Sequence, residues 1–449
     1  MKKILFYTAF TAIIFASCGK KLDVLPLANI AESEVFTNDA NIKKALNGAY
    51  DAVSSASAYG GDIQLYSELL ASESANGELN WDGTYNQPRE IFNKSMLTNN
   101  SYITATWAAA YRAINICNGI IANIDKVDDA DRDRVQGEAL FLRGSMYFEL
   151  VKLFSKPFSA GGGNLGVPLI LEPTVGNVSE VNYSPRSTVQ ESYVQIITDL
   201  TTAKQLLPEE NDFYATTFAA AAQLSRVYLQ TAEYGKARDE ADYVISNSDL
   251  ELTSTYAAAF NNQENTSEDI FAIQVSSQDG SNEMFLFWSI TSEGARNGDV
   301  DVLQKHMDLY PAGDARYNLF YKDGAVWRSG KWRTQYRNLP VIRLAEMYLT
   351  RAEGNARLGT EVGATPFDDV KKIRDRAGVL TLPANATSAS IVLERKLELA
   401  HEGQGIHDMK RLQQPVGNIA YDANRLVLPI PIREINAVGP SILQQNEGY

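Results

Sequence analysis

The stretch AAAAQLSRVYLQTAEYGKARDEADYVI, residues 219–245, decides the fold. Counted with Ala221 as the fourth position of a 34-residue unit, Leu224, Ser225 and Tyr228 fall at positions seven, eight and eleven. Tyr234 and Ala237 then fall at seventeen and twenty. Small residues at these points let the two helices of an antiparallel hairpin approach closely.

This is tetratricopeptide (TPR) spacing, and LRGSMY at Leu142 to Tyr147 repeats its seven, eight, eleven part. Other repeats are degenerate and separated by insertions, so the reading is a mostly all-α, TPR-like superhelix rather than a regular array. Upstream, Ile42, Leu46, Ala49, Tyr50 and Val53 recur at helical spacing behind Asn38 or Asp39 as N-cap. Trp107, Tyr111, Ile114 and Ile121 form a second stripe, and Ala139 to Phe154 a wide third one. A polar, Gly/Asn-rich region from about 72 to 101 interrupts the pattern, and residues 187–247 hold two or three more helices. From 256 to 338 the texture changes to short strands such as DIFAIQVS and a hairpin turning at Asp323-Gly324 and Ser329-Gly330. Helices return over 339–359, 366–378 and 389–405, before an extended, Pro-rich tail. The expected division is a leader at 1–17 and one globular unit at 18–449. That unit comprises a helical part at 18–255 and a lobe with C-terminal helices at 256–449.

The N-terminus reads as an export signal. Lys2 and Lys3 precede an apolar run from Ile4 to Ala16, too short to span a bilayer as a helix. Ala16, Ser17 and Cys18 follow, an arrangement that resembles a bacterial lipobox, with Phe15 where Leu is usual. Lipidated Cys18 would leave Cys117 the only thiol, and two or more acyl chains would hold the protein stably on a membrane. With 45% hydrophobic residues the chain has material for a large core without disulfide staples. A net charge of −14 with no Lys/Arg cluster argues against nucleic acid as a partner.

Several stretches, taken in order, are similar to the SusD/RagB family: YDAVS, AYRAINICNGII, GEALFLRGSMYFELVKLFSKPF, ITDLTTAKQLLP and GDARYNLF, then LPVIRLAEMYLTRAEGNARLG, VKKIRDRAG, ERKLELAHEG…HDMKR and PIPIREI…LQQNEGY. The resemblance covers the whole chain after the leader. It implies an outer-membrane lipoprotein that captures a nutrient, a glycan or oligosaccharide in most members and a peptide in others. The captured nutrient would pass to a SusC-like TonB-dependent transporter, on which the protein sits as a lid. It implies no catalysis and no cofactor. Two departures stand out. Gly405 occupies the place where an Arg commonly follows EG, leaving its ion pairs to another residue such as Arg411. Acidic residues are also absent immediately after Cys18.

Other chemistry is poorly supported by spacing. His401 and His407 are six apart with two glycines between, so they do not share the i, i+4 face that zinc needs, and Gly403 or Gly405 reads as a helix-ending residue. DDADRDR (128–134) lacks the glycine and the closing Glu of a calcium loop and suits a helix N-terminus. A paired-carboxylate glycosidase has no acid singled out, and no nucleophile elbow or phosphate loop is present. That leaves the aromatics, since sugar C–H faces stack on indole and phenol rings while polar neighbours bond the hydroxyls. Trp107 belongs to a core stripe, and Trp327 and Trp332 to the packing of the lobe. Trp81, within SESANGELNWDGTYNQPRE, is expected to be exposed in a polar loop beside Asp82, Tyr85, Asn86 and Arg89. Trp288, within EMFLFWSITSEGARNGD, is the second expected platform, with Arg296 and Asn297 as partners. Ligand binding is therefore expected at these eight residues. A TPR-type scaffold lipoprotein binding peptides or envelope proteins is the alternative, and burial of both tryptophans would favour it.

Overall fold

The computed structural model describes residues 35–73, 76–174, 184–278, 282–379 and 386–449. Cys18 and the leader lie outside them. Helix α1 (Asp39–Ser54) begins where a cap is available: Asn38 accepts from the Asn41 amide at 3.0 Å, and Ile42, Leu46, Ala49 and Val53 turn inward. The polar region after it is more ordered than its composition suggests. Preceded by α2 (Asp62–Ala71), it contains strand β1 (Leu79–Trp81) and α3 (Asn86–Asn93), which buries Pro88, Ile91 and Phe92. Next come α4 (Ser101–Ala122) and α5 (Asp129–Phe154). The acids opening α5 sit in its first turn, where Asp131 pairs with Lys43 and Arg134. Strands β2 (Leu165–Pro168) and β3 (Arg186–Thr188) form a short antiparallel pair leading to α6 (Val189–Leu206), which starts on a capping box of Thr188 and Glu191.

The stretch that sets the fold forms α7 (Thr217–Gln230) and α8 (Tyr234–Asn247), packed as a pair. Ser225 on α7 donates to the carbonyl of Ala237 on α8 at 3.1 Å, so the two small positions mark the point of closest approach. The same logic holds one pair earlier. A Cβ on Gly144 would lie 3.1–3.2 Å from Leu200 and Asp199, while neighbouring Arg143 grips Asp199 with bonds of 2.8 and 2.7 Å.

The lobe opens with β4 (Asp269–Ile273), then α9 (Glu283–Trp288), β5 (Val300–Val302), α10 (Gln304–Met307), and the hairpin of β6 (Phe320–Asp323) and β7 (Val326–Ser329). The hairpin turns at Asp323-Gly324 as expected, with Asp323 opposite Val326, whereas Ser329-Gly330 leads into a 3₁₀ turn at Gly330–Trp332. One sheet runs in the order β1-β5-β7-β6, so an N-terminal strand joins the lobe. β8 (Leu339–Arg343) pairs antiparallel with β4. These five residues were expected to begin a helix. Pro340 lacks an N–H, and Val341 and Ile342 suit a fully buried strand, so α11 (Leu344–Leu358) starts only after them.

Three helices follow: α12 (Pro366–Arg376), capped by Thr365, α13 (Ser388–Glu398), capped by Thr387, and α14 (Gly405–Arg411). α13 ends at Glu398, and the turn beyond it passes through His401 and Gly403 at positive φ. Gly405 thus opens a helix rather than closing one. The tail, expected to be extended throughout, includes α15 (Ile432–Val438).

Buried ion pairs lock this C-terminal half. Arg343 reaches Glu268, Glu398 and Glu402; Arg376 reaches Glu268 and Glu398; Arg316 holds Asp314 and Glu394; Arg374 holds Glu394; and Lys331 holds Glu402. Arg411, the residue expected to take over the ion pairs missing at Gly405, bridges Glu353 at 2.8 Å and Asp408 at 2.6 Å.

Candidate functional site

Pairing of β1 with β5 (Leu79 opposite Val302, Trp81 opposite Val300) brings the 82–85 loop against the 289–299 loop. The amides of Asp82 and Gly83 donate to the Asp299 carbonyl at 2.9 and 3.2 Å. A Cβ on Gly83 would lie 2.5 Å from Asp299 Oδ1 and 2.6 Å from the Trp81 ring, so only glycine permits this closeness. Asp299 then takes the Nε of Arg296 at 2.7 Å, and Arg296 Nη2 donates to Thr84 Oγ1 at 3.1 Å. Held from both sides, the guanidinium lies 3.7 Å over the centre of the Tyr85 ring.

Tyr85 is 40% exposed and rests on Phe287 at 6.3 Å and Tyr102 at 6.2 Å between ring centres. Asp82, Asn86, Arg89 and Asn297 are exposed around it. Arg89 donates to the Gly83 carbonyl, and the Thr291 hydroxyl reaches Asn297 Oδ1 at 3.5 Å. The result is a ledge on which a phenol ring sits beside guanidinium N–H donors and carboxylate and amide oxygens. Burial raises the carboxyl groups of Glu283 and Asp299 beneath it above their usual range, against the pull of Arg296.

The two tryptophans do not serve as platforms. Trp81 is 2% exposed, because Leu79 and Trp81 occupy the inward face of β1 and the indole packs on Phe287 at 5.6 Å. Trp288 is fully buried at the end of α9, its ring 4.6 Å from that of His401. A three-residue strand with an apolar–polar–apolar pattern is too short to stand out from a polar loop, which hid the burial of Trp81. In α9, Met284, Phe285, Phe287 and Trp288 are all buried, and that apolar run was the available warning for Trp288. Sequence reasoning also missed Tyr102, Phe287, Thr84 and Asp299, which support the ledge from two helices and two loops. Trp107 is core as expected, stacked on Tyr111 and Phe154, and Trp332 is likewise buried. Trp327 is half-buried against Tyr317. His407 is buried on the Ser67 hydroxyl at 3.0 Å, away from the Trp288–His401 stack. Among the described residues no helix is long and apolar enough to cross a membrane.

Helix pairs closing on small residues, with a loop-rich lobe joined through β1, define a TPR-like superhelical protein. Two family models match in tandem: one described as starch-binding associating with outer membrane over residues 21–229, and one described as the SusD family over residues 225–425. The chain belongs to the SusD/RagB family. It is 26% identical to SusD-like protein P2 of Formosa agariphila, with all of both chains covered, and 23% identical to SusD-like protein P25 of the same organism, with 98% of each covered. Its fold matches a putative sugar binding protein from Bacteroides vulgatus with a TM-score of 0.83 at 24% identity, covering 93% of this chain and all of that one. Surface glycan-binding protein A from Bacteroides thetaiotaomicron, solved with laminarihexaose, matches with a TM-score of 0.74 at 19% identity, covering 91% of this chain and all of that one.

Proposed function

We propose that the protein captures a glycan or oligosaccharide on the Tyr85–Arg296 ledge and delivers it to a SusC-like TonB-dependent transporter, without catalysing a reaction. The carrying observation is the exposed phenol ring stacked under a fixed guanidinium and ringed by Asp82, Asn86, Arg89 and Asn297. A sugar's C–H groups pack on the part of the ring that the guanidinium leaves exposed, while its hydroxyls exchange hydrogen bonds with the polar rim. Trp81 acts as a buried support, packing on the Phe287 ring on which Tyr85 rests. Lipid on Cys18 anchors the chain to the outer membrane, facing outward. Titration of wild type and Y85A against a panel of soluble glycans tests the site, and equal affinity for the ligand found would refute it. Radiolabelled lipid incorporation into wild type but not C18S tests the anchor, and protease treatment of intact cells tests the face. Co-purification of the transporter with the wild-type protein tests the partner.

The burial of both tryptophans favours a second reading, a scaffold lipoprotein that binds peptides or envelope proteins along its helical surface. Retention of a peptide ligand by Y85A, with no glycan binding by wild type, would support it.

A further inference from the structure

A second cavity, of about 320 Å³, opens between α2, the α13–α14 turn and the start of β1, and the reading above does not use it. Its walls are partly apolar, with Leu79, Leu399 and Met409 among them. Charged groups line it as well, and all but one are neutralised locally. Arg395 pairs with Asp408 at 2.9 Å, Lys396 pairs with Glu78, and Lys305 lies 3.8 Å from Glu73.

The remaining charge is Glu68. It is 7% exposed, and its Oε1 accepts from the amides of Gly403 at 2.8 Å and Gly405 at 3.3 Å, while Oε2 takes no hydrogen bond among the described residues. Among the described residues no cation forms a salt bridge with it, and Lys331, whose charge acts on it, is committed to Glu402 at 2.5 Å. Burial pushes its carboxyl up to about 7, the mark of a carboxylate lacking a counter-ion. In the same wall His401 is 2% exposed, and among the described residues neither ring nitrogen has a partner. Gly405 contributes no side chain toward Glu68, since even a Cβ there would stand 2.9 Å from Ala71 Cβ. A cavity with partly apolar walls, one unbalanced negative charge and idle imidazole nitrogens matches a ligand that brings one positive charge and a small apolar body.

We propose that this cavity binds a small organic monocation, an ammonium or guanidinium head on an apolar body, with the head on Glu68. The site is separate from the glycan ledge, so Y85A leaves it intact.

Calorimetric titration of the purified full chain with benzylamine, benzyl alcohol and benzoate at pH 8 tests it. The amine is expected to bind at least about tenfold more tightly than the isosteric alcohol, as a charge-assisted contact requires, and benzoate not at all. In E68Q, which keeps an oxygen to accept from Gly403, that preference is expected to fall to within about twofold. V392F, placed at a half-exposed wall residue on α13, is expected to weaken amine and alcohol alike by blocking the space. Equal binding of amine and alcohol by wild type, no amine binding at millimolar concentration, or an unchanged preference in E68Q would each overturn the proposal. So would unaltered amine binding in V392F.

Discussion

Replacing Arg343 with Met removes the centre of a buried, charge-balanced cluster. Arg316, Lys331, Arg343, Arg374 and Arg376 face Glu268, Asp314, Glu394, Glu398 and Glu402, five charges of each sign. Arg343 is 1% exposed and makes bonds of 2.8 and 2.7 Å to Glu402 and 3.1 Å to Glu398, besides its bond to Glu268. After the substitution Lys331 still answers Glu402 and Arg316 still lies 3.6 Å from Glu398, but Arg376 must serve Glu268 and most of Glu398 together. One carboxylate is therefore left short of a counter-charge in a dry site, which costs about 3–5 kcal/mol. With an unfolding entropy of about 2.1 cal/mol/K per residue, a chain of 449 residues loses roughly 1 °C of melting temperature per kcal/mol, so R343M should melt about 3–5 °C lower. Neutralising the surplus acid in R343M/E268Q should recover about a third to a half of that loss, because the excess charge rather than the lost contact dominates. Differential scanning calorimetry of wild type, R343M, E268Q and the double variant measures all four corners of the cycle. A double variant that melts below R343M by the full E268Q decrement would show simple additivity and refute the charge-balance argument.

W288A should leave a large void beside His401 and destabilise by about 3–5 kcal/mol, read as a lowered urea midpoint. Y85A, at an exposed ring, should shift that midpoint by no more than about 0.5 kcal/mol yet weaken glycan binding about tenfold by calorimetry. Burial opposes ionisation of Glu346, but Arg226 and Arg395 outweigh it and hold the carboxyl down at about 2. Its folded value lies below its unfolded one, so this contribution is complete above about pH 4.5 and fades as pH falls toward 2. Urea midpoints for E346Q should accordingly converge on wild type between pH 5 and 3. Lys410 behaves oppositely: burial pushes its ammonium down to about 7 with one partner, the Leu426 carbonyl, at 2.7 Å. The unfolded chain binds that proton more readily between about pH 7 and 10, so wild-type stability gains from rising pH over that window. K410M should therefore compare best with wild type below pH 7 and lose ground by pH 9 in the same assay.

The helices were legible because their signals are local. Asn38 caps α1 within three residues, and Ser225 and Ala237 carry the closeness of α7 and α8 in their own size. Asp323-Gly324 likewise announces its hairpin. β1 and β8 were not legible, because each is fixed by a strand far along the chain: Trp81 by Val300, and Leu339 by Ile273. The same distance explains the site. Tyr85 and Arg296 were both picked out by residue type, each within its own loop. Their stacking depends on β1 meeting β5, and so does the burial of Trp81, whose neighbour Phe287 lies on α9.

The β4–β8 pair has an implication for how such proteins diversify. Ile273 and Leu339 are direct partners, so residues 274–338 leave the helical body and return to it at one point. A segment with adjacent ends behaves as a cassette: it can be lengthened, shortened or exchanged for a relative's without changing the path of the helices on either side. The exchange has two fixed conditions: an edge that still accepts β1, because that strand brings Tyr85 to its partner, and the charges of Asp314, Arg316 and Lys331, which complete the buried cluster with Glu394 and Glu402. Recombination at Ile273 and Leu339, with β5 and those three charges retained, is therefore a route to a new ligand preference on an unchanged frame.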